Sequence, residues 1–355
     1  MRPPILEQDV RAVLDRPLPW DRLSGKTVLL TGAGGMLPSA MVDVFLALNE
    51  PPMGIPVRVL AVVRDRARAE ARFAHYRGRP ELTFLVQDVS VPVRVPGRVD
   101  YVIHAASQAS PKYFGTDPAG TMTANVIGTH HLLELAREHR SEGFLFFSTS
   151  EVYGLVGGEA PITEASYASL DPTELRSCYA EGKRCGETMC VAWHNQHRLP
   201  TRIVRPFHTY GPGMKLDDGR VFADLVSDVI HGRDLVLKSD GGAVRAFCYV
   251  ADAVAGYFTV LFRGGDGQAY NVGDEGGACS VLELARLLAG TVPELGLKVI
   301  RQERPAGSSY IPSAVNRSIP DTRKLRALGW SPRTTLADGF TRTVAALRAS
   351  GRVAA

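Results

Sequence analysis

The 355 residues are 45% hydrophobic and 22% charged, enough apolar content to bury one large core and a smaller one beside it, which excludes a predominantly disordered chain. The formal charge of +4 is mild and its basic residues are scattered, apart from an arginine-rich stretch between Arg64 and Arg79, so no nucleic-acid surface is expected. The five cysteines form no Cys-x-x-Cys pair or zinc spacing, and no uninterrupted apolar run of about 18 residues exists; reduced thiols, no metal, no membrane span and a cytoplasmic setting are the expectations.

Residues 1–25 read as a short helix and a Pro-rich lead-in. Apolar strand runs then follow at 27–31, 57–63, 82–86, 101–104, 144–147 and 202–205, with helical patterns between them near 36–49, 65–76, 120–139 and 174–197. Short apolar strands alternating with helices predict an α/β fold, a Rossmann-type doubly wound parallel sheet covered on both faces. Beyond Pro206 the pattern turns irregular, with helices near 220–231, 280–290 and 334–349. The expected division is a dinucleotide-binding domain at 26–206, completed by about 232–262, and a smaller C-terminal substrate-binding lobe at 207–231 and 263–355.

The first strand runs into Gly32-Ala33-Gly34-Gly35 and a helix from Met36. Glycines there let the backbone approach a pyrophosphate, whose charge the helix N-terminus meets. A full Gly-x-x-Gly-x-x-Gly would need glycine at 38, where this chain has Pro38; in a first helical turn proline costs no hydrogen bond. The second strand leads into Arg64-Asp65-Arg66. Arg64 or Arg66 can take a 2′-phosphate and Asp65 can hold ribose hydroxyls, so the expected cofactor is NAD, with NADP as the alternative. Asp88 closes the third strand within reach of an adenine, and Ala105-Ala106 follow the fourth, where small side chains let a cofactor lie close. The expected cofactor-binding set is Gly32, Gly35, Met36, Leu37, Arg64, Asp88, Val89, Ala105, Ala106 and Ser107, together with Lys183.

Tyr179 and Lys183 lie four apart in a predicted helix, so they share a face. An ammonium beside a phenol favours phenolate, which makes the tyrosine a usable general base. The spacing alone is commonplace. It gains meaning from Phe146-Phe147-Ser148-Thr149-Ser150-Glu151, a strand exit that would deliver a hydroxyl at Thr149 and a carboxylate at Glu151 to the same cleft.

With these residues in place, the chain resembles the extended short-chain dehydrogenase/reductase family of sugar-nucleotide epimerases, dehydratases and decarboxylases over roughly 26–345, and within it most closely the enzymes that decarboxylate UDP-glucuronate. The segments that carry the likeness are 105–111 (Ala-Ala-Ser-Gln-Ala-Ser-Pro), 148–154 (Ser-Thr-Ser-Glu-Val-Tyr-Gly), 177–184 (Ser-Cys-Tyr-Ala-Glu-Gly-Lys-Arg), 209–212 with 218–221, and 245–250. The resemblance implies Tyr179 as base at the sugar C4 hydroxyl, Lys183 on the cofactor ribose and Thr149 at the reacting oxygen. It places Glu151 and Arg245 at the acidic and basic positions of the decarboxylase motif, and Asn125 on the helix behind the cleft. Substrate contacts are implied for Ser110, Tyr113, Glu151, His208, Arg220 and Arg245.

Gln108 interrupts the family's Ser-Pro-Ala-Ser-Pro, and His208 stands where Phe-Asn-Thr-Tyr-Gly-Pro would have asparagine. The implied reaction is decarboxylation of a UDP-linked uronate, with a nucleotide-sugar 4-epimerase as the alternative and a non-catalytic dinucleotide-sensing protein as a third. A 4,6-dehydratase fits less well, because Ser150 falls where that subgroup has aspartate. A homodimer through the helices near 120–139 and 174–197 is a family-level expectation.

Overall fold

The computed structural model describes residues 2–302 and 316–350, so parts of the expected C-terminal lobe, 303–315 and 351–355, lie outside the described residues. The first half lays down strands β1 Lys26–Thr31, β2 Val57–Val63, β3 Leu82–Val86, β4 Tyr101–His104, β5 Gly143–Phe147 and β6 Thr201–Pro206. They alternate with helices α1 Pro4–Leu14, α2 Met36–Leu48, α3 Arg66–Arg72, α4 Lys112–Thr116, α5 Pro118–Glu138 and α6 Ser177–His197. The second half adds β7 His208–Tyr210, α7 Val221–Ile230, β8 Leu235–Leu237, β9 Val244–Tyr249, α8 Val250–Arg263 and β10 Gln268–Val272. β11 Ala278–Ser280, α9 Val281–Gly290, β12 Val299–Arg301, β13 Arg317–Ser318, α10 Arg323–Arg326 and α11 Leu336–Ala349 follow.

Seven strands form one sheet in the order β10-β6-β5-β4-β1-β2-β3, every neighbouring pair parallel. Parallel neighbours need crossovers, and crossovers cover both faces with helices. The strand sequences are therefore near-continuous apolar runs: β4 and β5 are buried at every residue. The doubly wound sheet is the expected one, with one correction to the division of the chain. Residues 268–272, assigned by sequence to the C-terminal lobe, pair in register with β6 as the seventh strand, Gln268 opposite Arg202 through Val272 opposite Pro206. The crossover that delivers them is α8, buried from Val250 to Phe262.

The remaining short strands form the second layer, β7, β11 and β13 pairing with β9, and β12 with β8. An aromatic cluster joins this layer to α7 and α11: Tyr210 stacks on Phe340 at 3.8 Å, and Phe222 and Phe247 meet edge to face at 5.7 Å. α1, from the lead-in, packs on α2 and α8.

Helices α5 and α6 pack lengthwise on each other and on β5. Glycine sets that approach. A Cβ at Gly186 would sit 2.4 Å from the buried Phe146 ring, and one at Gly182 would sit 3.1 Å from Asn125 Cβ. α6 is thereby pressed onto the end of β5 at Gly186, one turn after Lys183 and two after Tyr179.

Candidate active site

All seven strands point the same way, so their exits share one edge of the sheet. The first exit is built from backbone. Gly32 has φ +69°, and a Cβ on it would lie 2.8 Å from Ala106 Cα and 2.9 Å from the Ala105 oxygen, so only glycine lets this turn touch the β4 exit. Thr31 Oγ1 accepts from Ala106 N at 3.1 Å and bonds His104 Nδ1 at 3.0 Å, tying the two exits together. Gly34 has open space around it. Gly35 caps α2 without a side-chain hydrogen bond, leaving the N–H groups of Met36 and Leu37 without a side-chain partner; Pro38, third in the helix, has none to leave. Ser107 Oγ is buried with no partner among the described residues. A glycine cradle, an uncapped helix start and an unpaired buried hydroxyl together fit a dinucleotide pyrophosphate.

At the β2 exit the open alternatives separate. Asp65 Oδ1 accepts the Arg68 N–H at 3.0 Å and so caps α3. Arg64 extends to Asp88, Nη1 to Oδ2 3.9 Å, both side chains largely exposed. Val89 is buried against Gly128 of α5, where a Cβ would meet its Cγ2 at 2.8 Å, so its side chain belongs to the α5 packing. Arg72, which the sequence reading passed over, donates from Nη2 to Ser39 Oγ at 2.6 Å in the first turns of α2.

The reacting side chains come from the β5 exit and α6. Tyr179 is buried and stacks on Phe114 at 5.2 Å and 18°, with the Thr149 hydroxyl near enough to its phenol to favour the phenolate. Thr149 Oγ1 also accepts the Glu151 N–H at 3.2 Å. Glu151 Oε2 accepts from Arg176 Nη1 at 3.0 Å. Lys183 is buried as well, its Nζ donating to the Phe147 carbonyl at 2.6 Å and lying 4.8 Å over the Phe146 ring.

Electrostatics here departs from the expectation that the ammonium lowers the phenol. Burial, helped by the Glu151 charge, pushes Tyr179 up to about 12 against the pull of the Thr149 hydroxyl and Arg220. Burial likewise brings Lys183 down to about 7, opposed by Cys190 and Glu187. The reason is common to both: each loses water on its charged form, and the lysine is turned to a carbonyl of β5.

Facing them is the second layer. Ser110 Oγ donates to the Asp218 carbonyl at 2.7 Å, and Lys112 pairs with Asp217 at 2.8 Å. Arg220 reaches Asp218 from Nε at 3.2 Å and the Ala109 carbonyl from Nη2 at 3.0 Å. Ser110 and Arg220 therefore stitch the 109–112 segment to 217–220 across the cleft. The ring that stacks on Tyr179 is that of Phe114, the neighbour of Tyr113, and the Lys112 ammonium lies 5.6 Å from the Tyr113 ring.

His208 Nδ1 is buried with no partner among the described residues, between Phe222 and Phe247, and burial with the nearby Arg245 and Arg220 charges takes its pKa to about 3. It is a neutral imidazole. Arg245 Nη1 donates to the Val244 and Asn316 carbonyls at 2.8 and 3.2 Å. Asn125 lies on α5 with both amide atoms buried and without a partner among the described residues. The arrangement joins a dinucleotide cradle to a buried tyrosine, a hydroxyl and a carboxylate, the parts of a hydride-transfer site that moves protons at one carbon.

Comparison with known proteins agrees. The model of the NAD dependent epimerase/dehydratase family matches residues 28–273. UDP-glucuronic acid decarboxylase 6 of Arabidopsis thaliana is 32% identical over 321 residues, covering 89% of this chain and 87% of its own. A UDP-glucose 4-epimerase from Thermotoga maritima, solved with UDP-glucose, superposes with a TM-score of 0.78 at 23% identity over 91% of this chain and 99% of its own. A dTDP-glucose 4,6-dehydratase from Streptomyces venezuelae, solved with NAD bound, has a TM-score of 0.75 at 27% identity over 92% and 98%. The chain belongs to the NAD dependent epimerase/dehydratase family.

Proposed function

We propose that this chain is a sugar-nucleotide decarboxylase acting on UDP-glucuronate or a related UDP-uronate through transient oxidation at C4. The observation that carries the reading is the meeting of Tyr179, Thr149 and the Arg176-bound Glu151 at the exit of β5. The 32% identity to a UDP-glucuronic acid decarboxylase over most of both chains supports it.

The Gly32–Leu37 turn, Ala105, Ala106 and Ser107 would hold NAD, with Lys183 at its ribose, and the bound cofactor would supply hydride acceptance and return at C4. Thr149 hydrogen-bonds the C4 oxygen and Tyr179 takes its proton as phenolate, a form that burial disfavours in the ligand-free site and that the positive charge of bound NAD would favour. The 4-ketone so formed lies β to the C6 carboxylate, so the C5–C6 bond breaks with its electron pair drawn towards the ketone and carbon dioxide leaves. Glu151, at the same wall, relays to C5 a proton drawn from solvent, and Tyr179 returns its own proton to the C4 oxygen. Neutral His208 and Arg220 serve the diphosphate, and Arg245 the uronate side.

Purified protein incubated with UDP-glucuronate, its products followed by NMR, tests this. Carbon dioxide release with a UDP-pentose or its 4-keto form is expected. Inversion at C4 with the carboxylate retained would make the chain a 4-epimerase, and no turnover of any sugar nucleotide would leave it a dinucleotide-binding protein.

A further inference from the structure

We propose that Arg176 is a positioning and specificity residue: it neutralises and orients Glu151, and thereby lets the site admit a sugar that carries a carboxylate at C6. The inference rests on the uronate reading above.

Arg176 enters α6 in helical conformation, φ −63° and ψ −23°, three residues before Tyr179, and so projects over the same wall of the cleft. Its Nη1 holds Glu151 Oε2 at 3.0 Å. Its guanidinium also lies 5.9 Å from the Phe114 ring, which stacks on the Tyr179 ring at 5.2 Å. One cation therefore fixes both the carboxylate and the aromatic wall against which the tyrosine rests. Glu151 is near enough for its charge to act on Tyr179. A uronate brought to Tyr179 places a second carboxylate in the same half-desolvated space, and two like charges at such distances repel unless a counter-charge is already fixed there. Arg176 is that counter-charge, and its Nη1 hydrogen bond to Oε2 holds the carboxylate.

Affinity is the informative readout, because it separates charge from shape. UDP-glucuronate and UDP-glucose differ at C6, a carboxylate against a hydroxymethyl. Calorimetric titration of the NAD-loaded protein with each ligand is expected to show R176Q weakening UDP-glucuronate by about tenfold or more while UDP-glucose shifts by less than about twofold. R176K, which keeps the charge and loses the fork, should recover part of the loss. The double variant E151Q/R176Q should regain the uronate affinity, since no carboxylate remains to repel the ligand.

Failure of E151Q/R176Q to regain affinity would overturn action through Glu151. Equal weakening of both ligands by R176Q would reduce Arg176 to a structural role and overturn the assignment alone. A wild-type protein that binds the two ligands equally would instead overturn the uronate reading, and this inference with it.

Discussion

Replacing Lys183 by methionine should stabilise the ligand-free protein near neutral pH while abolishing its activity. Lys183 is 1% exposed, and burial brings its pKa to about 7 from the ordinary 10.5. The gap of about 3.5 units, at about 1.4 kcal/mol each, sets a ceiling of about 5 kcal/mol on the cost of keeping the ammonium buried. The folded pKa is depressed, so below pH 7 both states hold the proton and the whole cost is present. Between about pH 7 and 10.5 only the unfolded chain holds it, and stability rises by up to about 1.4 kcal/mol per pH unit. Methionine keeps the unbranched shape and removes this cost, but leaves the Phe147 carbonyl without its 2.6 Å partner, a loss of about 1–3 kcal/mol. K183M should therefore exceed the wild type by about 2–4 kcal/mol at pH 6, an advantage that shrinks by about 3 kcal/mol on going to pH 9. Urea unfolding of both proteins across this range, read by fluorescence of Trp20, Trp193 and Trp330, gives the difference directly. A difference curve flat to within about 0.5 kcal/mol would refute the argument, because Lys183 would then hold its proton throughout.

Tyr179→Phe should lower turnover by about 10²–10⁴-fold with NAD retained. A variant that keeps the wild-type rate would assign the base to another group. Gly32→Ala forces φ +69° on a side chain and drives its Cβ to 2.8 Å from Ala106 Cα, where the neighbour is backbone and cannot rotate away. The conformational cost of about 1–2 kcal/mol and the overlap cost of about 1–3 kcal/mol sum to about 2–5 kcal/mol of lost stability, measurable by denaturant titration, with weakened NAD binding alongside. Unchanged stability would mean that the β1 and β4 exits can move apart.

The inner strands of the parallel sheet were legible because they are buried on both faces, as β2 and β4 show, and the half-exposed edge strand β3 still spans the apolar run that indicates it. β10 was not, since Gln268-Ala-Tyr-Asn-Val reads like any short edge segment and its place depends on α8 crossing back over the sheet. In the site, Tyr179, Thr149 and Glu151 were found because each follows a strand exit or shares a helix turn. Phe114 and Arg176 were missed for a different reason. Phe114 lies in a short segment with no period to tell its inward side chain from that of Tyr113, and Arg176 acts on a carboxylate 25 residues upstream. The spacing of Lys183 gave its face but not its energetics, which burial decides.

The two halves of the cleft tolerate change differently, and this bears on the positions where the chain departs from its family's pattern. The dinucleotide half is made of backbone N–H groups and close approaches, so what it forbids is a Cβ at Gly32, whereas Pro38 enters the third position of α2 without removing a hydrogen bond. Arg64 stands where a ribose acid is expected, yet it leans to Asp88, and a carboxylate remains at that exit. The reacting half depends on particular functional groups, and there Thr149, Glu151, Tyr179 and Lys183 match the pattern. His208 is the departure on the proposed substrate side, and its buried, neutral ring leaves Nδ1 without a partner among the described residues where asparagine would bring an amide. The departures therefore fall on the positions assigned to cofactor and diphosphate, while the groups to which the proposed reaction gives the protons at C4 and C5 keep the family's residues.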